Sequence, residues 1–223
     1  MPPLTLTTDG ARHIPAALDS HAIAQLLAAL IPVDTSKPGV RIARYPALRP
    51  ALESSGVIGR HAAAHLGAAA QPVRCLLFDK SMHNNWSLAW HQDRTIAVTD
   101  RVDAPGFGPW TIKDGIPHVA PPQSLLDRMV TLRVHLDPVS MDNAPLLIAP
   151  GSHNKGRVAE ADIADLVTRC GTHACLAAAG DIWAYATPIL HASDAASHPA
   201  RRRVLQIDYS ADALPNGLEW MGV

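Results

Sequence analysis

The residues able to do chemistry concentrate in one run, Asn84-Asn85-Trp86-Ser87-Leu88-Ala89-Trp90-His91-Gln92-Asp93. On an extended strand, residues i and i+2 share a face, so His91 and Asp93 would present an imidazole nitrogen and a carboxylate side by side. Those are two ligands for one metal ion. A third is offered between Gly180 and Ser193, where an alternating strand, a turn at Thr187-Pro188 and a second strand would carry His191 into the mouth of a barrel. Two histidines and one carboxylate fill one face of a metal and leave the other open, the arrangement with which non-haem Fe(II) oxygenases admit a cosubstrate and dioxygen. Eleven residues beyond His191, Arg202 stands at the start of the strand-like run RRVLQIDY. A guanidinium there could take a distal carboxylate by a bidentate contact that lysine reproduces poorly.

The elements that must position these residues fall into two textures. Residues 19–31 place Ile23, Leu26, Leu27 and Leu30 at helical spacing behind Asp19 and Ser20, either of which can cap the helix. Residues 50–69 form a second helical region with a break near Gly56 or Gly59. Beyond Pro72 come short strand-like runs: VRCLLFDK, SLAWHQD, RTIAVTD, MVTLRVHLD, PLLIAP, DIWAYA and RRVLQIDYS, separated by Gly- and Pro-rich turns. The segment Glu160–Thr168 reads as a short helix inserted between strands. Helices followed by many short strands predict an α+β chain whose body is a sandwich or barrel.

With 223 residues the chain is expected to be one domain. Its 19 basic and 20 acidic side chains leave a formal charge of −1, which provides no field for nucleic acid. The richest apolar stretch, His21 to Pro32, is too short to cross a membrane, and the N-terminus lacks the pattern of a secretory signal. Three cysteines, Cys75, Cys170 and Cys175, fit a reducing compartment better than a disulfide framework, so the expected location is the cytoplasm.

Taken together, His91-Gln92-Asp93, His191 with Ser193, and Arg202 resemble the phytanoyl-CoA dioxygenase family of Fe(II)/2-oxoglutarate oxygenases, which includes phytanoyl-CoA hydroxylase and ectoine hydroxylase. The likeness extends through Thr131 to Asp137, Asn143-Ala144-Pro145-Leu146 and Pro150-Gly151-Ser152-His153, from about Val73 to Tyr209. It implies a mainly β fold, a double-stranded β-helix (jelly-roll) over about 71–212, with the N-terminal helices of about 1–70 packed on one sheet. It further implies Fe(II) held by His91, Asp93 and His191, with O2 and the cosubstrate 2-oxoglutarate completing the reaction. Arg202 and Ser193 would hold the C5 carboxylate of 2-oxoglutarate, the spacing from His191 favouring Arg202 over Arg201 and Arg203. Gln92 is placed with the cosubstrate. Arg133 replaces a bulky residue common in the family and would add a second cation near 2-oxoglutarate or recognise an anionic substrate. Ala144 replaces the commoner glycine of Asn-Gly-Pro-Leu. An intact carboxylate at Asp93 points to hydroxylation or a related C–H oxidation of a small molecule, anionic or zwitterionic in view of Arg74, Lys80 and Arg133.

Candidate substrate contacts are Lys80, Asn85, Trp90 and Trp110. Trp110, Lys113, Asp114 and His118 lie in the Gly/Pro-rich stretch 104–122, which reads as a lid loop over the site. Only ten aromatic residues accompany twelve histidines, and three of the five tryptophans, Trp86, Trp90 and Trp183, are expected beside the metal. His61 and His65 could share a metal on one helix face, but the glutamate a zinc hydrolase needs is missing. Cys170, His173 and Cys175 offer two thiols and an imidazole but lack a second ligand pair, so the two sulfurs read as small core residues, and His135 and His153 as packing or turn residues. Two other functions use the same constellation: a non-catalytic cupin-like protein that binds a small acid, and a barrel metal enzyme that does not use 2-oxoglutarate. Retention of all three ligands together with Arg202 argues against the first.

Overall fold

The computed structural model describes residues 3–37, 39–82 and 84–223. In chain order the first strands are β1 (Ala11–Ile14), β2 (Val40–Ile42), β3 (Gln71–Lys80), β4 (Leu88–His91), β5 (Ile96–Ala97), β6 (Trp110–Lys113) and β7 (Ile116–Val119). They are followed by β8 (Val130–His135), β9 (Leu146–Ile148), β10 (His173–Cys175), β11 (Ile182–Ala186), β12 (His191–Ser193) and β13 (Arg202–Ser210). Six form a large sheet in the order β1-β11-β8-β13-β3-β2, four form a smaller one, β10-β9-β12-β4, and β5-β7-β6 make a third. All pairings of these strands are antiparallel, and the large and small sheets face each other as a jelly-roll.

Alternation along the long strands divides their residues between two environments. Cys75 and Leu77 of β3, Leu132 and Val134 of β8, Ile182 and Ala184 of β11, and Leu205, Ile207 and Tyr209 of β13 form one buried layer. The helix Ser20–Leu30 covers it with Ala22, Leu26 and Leu30, and Asp19 caps that helix by accepting from Ala22 N–H. The helical region after residue 49 breaks over 53–58, between Arg49–Leu52 and Gly59–Leu66. Tyr209 crosses the layer to donate to the Leu52 carbonyl at 3.0 Å. Burial of each such leucine contributes about 1.5–3 kcal/mol, so the helices are fastened by the face of the sheet turned away from the cavity. The opposite residues of β3, β8 and β13 point between the two sheets. There the strands carry Arg74, Lys80, Arg133, Arg202 and Gln206.

Two expectations change. The first 70 residues are not only helical: β1 pairs with β11 and β2 with β3, so this part supplies both edges of the large sheet. The stretch 104–122 is not an unstructured lid. It contains the hairpin β6–β7, whose two-residue turn Asp114-Gly115 has φ of 50° and 77°. That left-handed pair is the turn that matches strand twist, and Asp-Gly is a favoured sequence for it. No described helix is long and apolar enough to cross a membrane.

Candidate active site

His91 and His191 are direct cross-strand partners between β4 and β12, with ring centroids 4.3 Å apart. Each ring makes the same second contact, Nδ1 lying 2.7 Å from the Ala89 carbonyl in His91 and 2.9 Å from the Ile189 carbonyl in His191. An Nδ1–H donated to a carbonyl fixes the tautomer in which Nε2 carries the free lone pair, the form a metal requires. Burial, reinforced by His91, brings His191 down to about 4, so its ring is neutral at ordinary pH.

Asp93 follows the end of β4 and turns to the same cavity. Burial opposes its charged form, but the Arg74 guanidinium beside it outweighs that and holds the carboxyl well below the usual carboxylate range. Arg74 Nη2 lies 2.9 Å from Asp93 Oδ2, and Gln206 donates to the same oxygen at 3.3 Å. Both contacts fall on Oδ2, so Oδ1 is left for a ligand. Among the described residues no three His, Cys, Asp or Glu side chains close into a metal cluster. The donor set nevertheless suits a divalent ion: two imidazoles whose Nδ1 contacts leave Nε2 free, and one carboxylate held ionised.

Behind Asp93 the network continues. Arg74 Nε donates to Asp208 Oδ2 at 2.6 Å, and Thr131 donates to Asp208 Oδ1 at 2.9 Å. Arg74 therefore bridges two buried carboxylates, the chemical reason a cation is tolerated there.

The other end of the cavity is cationic. Strand alternation turns Arg202 inward, where it is 1% exposed and donates to the Ala144 carbonyl. Its neighbours point elsewhere: Arg201 pairs with Asp79 at 3.1 Å and Arg203 with Asp137 at 2.7 Å. Burial and the charge of Arg133 both disfavour a charged Arg202, yet a guanidinium keeps its proton, so the position favours an incoming anion. Lys80 is opposite Arg202 in the β3–β13 register and donates to Ser193 Oγ at 3.2 Å and to the Trp86 carbonyl at 2.7 Å. Burial, with Arg202 and Arg133 nearby, lowers Lys80 to about 7. Arg133 lies over the Phe78 ring and donates to Gln206 Oε1 at 2.9 Å. The cavity these residues line has a volume of about 280 Å³.

The structure thus brings together His91, Asp93, His191, Ser193, Arg202, Arg133 and Lys80, and leaves four named residues outside. Gln92 points to the opposite face of its strand, where its amide donates to the Gly156 and Pro188 carbonyls and accepts from Val158 N–H. It is a clamp between loops, and both of its amide hydrogens are already used, leaving none to donate to a cosubstrate carboxylate. Trp90 turns the same way and packs beside Ile163 and Leu166. Asn85 exchanges hydrogen bonds with the backbone of Ala196, and Trp110 packs on the cluster around Val98 and Val119. Of the three tryptophans expected at the metal, only Trp86 lines the cavity; Trp183 donates to the Leu176 carbonyl and stacks on His13. Residues that sequence reasoning missed are Arg41, Gln206 and Asp208. The last two were readable, because alternation puts 206 and 208 on the face of Arg202.

This geometry has a match in sequence. The family model described as phytanoyl-CoA dioxygenase matches residues 6–204. The chain belongs to the phytanoyl-CoA dioxygenase family. It is accordingly a non-haem Fe(II)/2-oxoglutarate-dependent oxygenase that uses O2. No curated relative matches this phytanoyl-CoA dioxygenase family member. Among solved structures it is similar to AviO1 from Streptomyces viridochromogenes Tue57, with 19% identity and a TM-score of 0.65 over 95% of this chain and 94% of that one. HygX from Streptomyces hygroscopicus, solved with nickel, 2-oxoglutarate and hygromycin B, aligns at 15% identity and a TM-score of 0.62 over 92% and 84% of the two chains. SnoN, an alpha-ketoglutarate-dependent epimerase from nogalamycin biosynthesis, aligns at 17% and 0.60 over 95% and 85%. At these identities the likeness is one of fold.

Proposed function

We propose that the protein is a single-domain hydroxylase of a small molecule, with iron held by His91, Asp93 and His191 and 2-oxoglutarate anchored by Arg202 and Ser193. The observation that carries this reading is the convergence of two imidazoles, each with Nε2 freed by an Nδ1–carbonyl contact, on a carboxylate across from an inward guanidinium that has no acidic partner among the described residues. Iron(II) with 2-oxoglutarate and O2 supplies an oxidant able to attack a C–H bond, with succinate and carbon dioxide as coproducts. The protein's own residues do the positioning. Ala89 and Ile189 orient the imidazoles through their carbonyls, while Arg74 and Gln206 fix the Asp93 carboxylate and keep it ionised. Arg202 takes the distal carboxylate of the cosubstrate, Ser193 adds a hydroxyl, and Lys80 orients that hydroxyl. Arg133 supports the cosubstrate from the floor of the cavity. The buried thiols Cys75 and Cys175 and the half-buried Cys170, all unpaired, support a reducing, cytoplasmic setting.

The test is anaerobic addition of Fe(II) and 2-oxoglutarate to the apo-protein. A visible charge-transfer band should form in the wild type and be lost in His91→Ala; its absence from the wild type refutes the assignment. Succinate release across amino acids, organic acids and acyl thioesters, with analysis of the oxidised product, then distinguishes hydroxylation from epimerisation or ring closure.

A further inference from the structure

The cavity carries more positive charge than its own carboxylates match. Six cationic side chains line it, Arg41, Arg74, Lys80, Lys113, Arg133 and Arg202, against one acid, Asp93. Arg74 is matched by Asp93 and Asp208, and Arg41 meets Asp114 at 2.6 Å. Lys80, Lys113, Arg133 and Arg202 form no ion pair among the described residues. Cations removed from water without counter-charges are costly, so a fold that gathers them is built to receive anions.

These cations stand in two groups. Lys80 and Arg202 sit together at one end of β3 and β13, where the reading above places the distal carboxylate of 2-oxoglutarate. Arg41 is opposite Leu76 in the β2–β3 register, four residues back along β3 from Lys80, or about 13 Å at the usual strand rise. A five-carbon diacid anchored on Arg202 and the metal does not extend over that distance as well. Lys113 reaches the cavity from the tip of the β6–β7 hairpin, and its Nζ donates to Thr95 Oγ at 3.1 Å. Arg41 is fastened to the same hairpin tip through Asp114 but is not saturated by it: Nη1 is used, while Nε is buried without a hydrogen-bond partner. Two cations from different elements thus line the same cavity, Arg41 tied to Asp114, the residue that follows Lys113. Desolvation and the charges of Arg74 and Arg41 lower the proton affinity of Lys113, opposed in part by Asp93, and an anion bound beside Lys113 would act in the same sense as Asp93.

We propose that Arg41 and Lys113 form a second anion subsite, which binds the carboxylate or phosphate oxyanion of the substrate, so that the molecule oxidised is a small organic acid. This rests on the cosubstrate occupying the Arg202 end. On the cavity face of β3, Phe78 falls between Leu76, opposite Arg41, and Lys80, and with Leu76, Leu88 and Leu146 it gives the cavity an apolar lining that suits a short apolar body. The cavity's 280 Å³ is just below the roughly 300–1,000 Å³ of pockets that hold drug-sized ligands, and it must be shared with 2-oxoglutarate. The substrate, or the part of it that enters, is correspondingly small.

The experiment is calorimetric titration of the protein loaded with Ni(II), which blocks turnover, and 2-oxoglutarate. The probes are butyrate, propyl phosphate, butyramide and butylamine. The anions should bind with salt-weakened affinity while the neutral and cationic isosteres do not; the tighter of the two anions identifies the substrate as carboxylate or phosphate. Lys113→Gln and Arg41→Gln should each weaken the preferred anion by about tenfold or more, with the half-saturating 2-oxoglutarate concentration moving less than about twofold. Lys113→Arg should keep the binding, which separates charge from packing. Equal affinity for butyrate and butyramide overturns the proposal. So does a Lys113→Gln loss that falls equally on 2-oxoglutarate and the anion, because Lys113 would then serve the cosubstrate. If 2-oxoglutarate does not bind but the anion does, in a Lys113-dependent way, the cosubstrate reading fails and the subsite stands.

Discussion

Replacing Arg202 by methionine should separate binding from folding, because this side chain is buried without an acidic partner. It is 1% exposed, its hydrogen bond goes to the Ala144 carbonyl, and its Nε has no partner. The groups closest to it in the strand pairing and the cavity, Lys80 and Arg133, are bases and offer it no counter-charge. Methionine of similar length loses one charge-assisted hydrogen bond, about 1.5–3 kcal/mol, and removes an uncompensated buried charge that costs several kcal/mol. The metal-free protein should therefore be unchanged or stabilised by about 1–3 kcal/mol. Arg74→Met is the control with the opposite sign. It leaves Asp93 and Asp208 together without their shared cation and should cost about 3–5 kcal/mol. Urea denaturation of both variants at neutral pH, without metal, measures these terms. Titration with 2-oxoglutarate should show affinity reduced about 100-fold or more in Arg202→Met, the loss of a bidentate charged contact. If Arg202→Met is destabilised as much as Arg74→Met, or still binds 2-oxoglutarate within about threefold of wild type, the assignment of Arg202 as an unfilled anion site is wrong.

Three further outcomes follow from particular residues. Ala144 holds φ at 52°, a left-handed conformation that costs a residue with a Cβ about 1–2 kcal/mol; Ala144→Gly should raise stability by about 1 kcal/mol in urea denaturation, and a decrease would refute the strain. His135 is buried with both ring nitrogens unpartnered, and burial, aided by Arg133 and Arg202, lowers it to about 3. Its folded form declines a proton that the unfolded chain accepts near pH 6.5, so its contribution falls by about 1.4 kcal/mol per unit as pH drops from there toward 3; comparing pH 7 with pH 5, His135→Leu should show a flatter decline than wild type. Asp208→Asn leaves Arg74 to act on Asp93 alone, which draws the carboxylate away from a metal, and should weaken Ni(II) or Fe(II) binding about 10–100-fold in a direct titration; unchanged metal affinity would remove Asp208 from the support of the site.

The parts of the fold that were legible were those in which one physical signal dominated. Residues 73–80, 129–137 and 202–210 alternate over a long span because one face packs on the helices, and they became β3, β8 and β13. The strands β1 and β2 carry Arg12, His13 and Arg41 in runs of three or four residues, too short for a period to register. They exist because the large sheet has edges to cover, a tertiary demand that leaves little local trace. The β6–β7 hairpin is a different failure. Asp114-Gly115 between Trp110–Lys113 and Ile116–Val119 was a readable two-residue turn, but Pro117 inside the second run and the glycines before it pointed to a loop. Pro117 is tolerated opposite Ile112, and its carbonyl accepts from Val98 N–H, so the missing donor costs the sheet nothing there.

For the site, parity along a strand decided what could be read. His91 and Asp93 share a face, so Trp90 and Gln92 must leave it, and assigning all four to one pocket conflicted with the geometry that justified the first two. The same rule turns Arg202 inward with Gln206 and Asp208, which means the support of the Asp93 carboxylate was encoded on the strand that carries Arg202, the proposed cosubstrate anchor. What parity cannot supply is contact between elements far apart in the chain. Arg41 comes from an edge strand and Lys113 from a hairpin tip, and the Arg41–Asp114 ion pair, 73 residues apart in sequence, ties the strand to the hairpin. The half of the site proposed to hold iron is therefore carried by β4, the turn after it and β12, strands paired directly to each other. The half proposed to choose the substrate is carried by peripheral elements that can change without disturbing it.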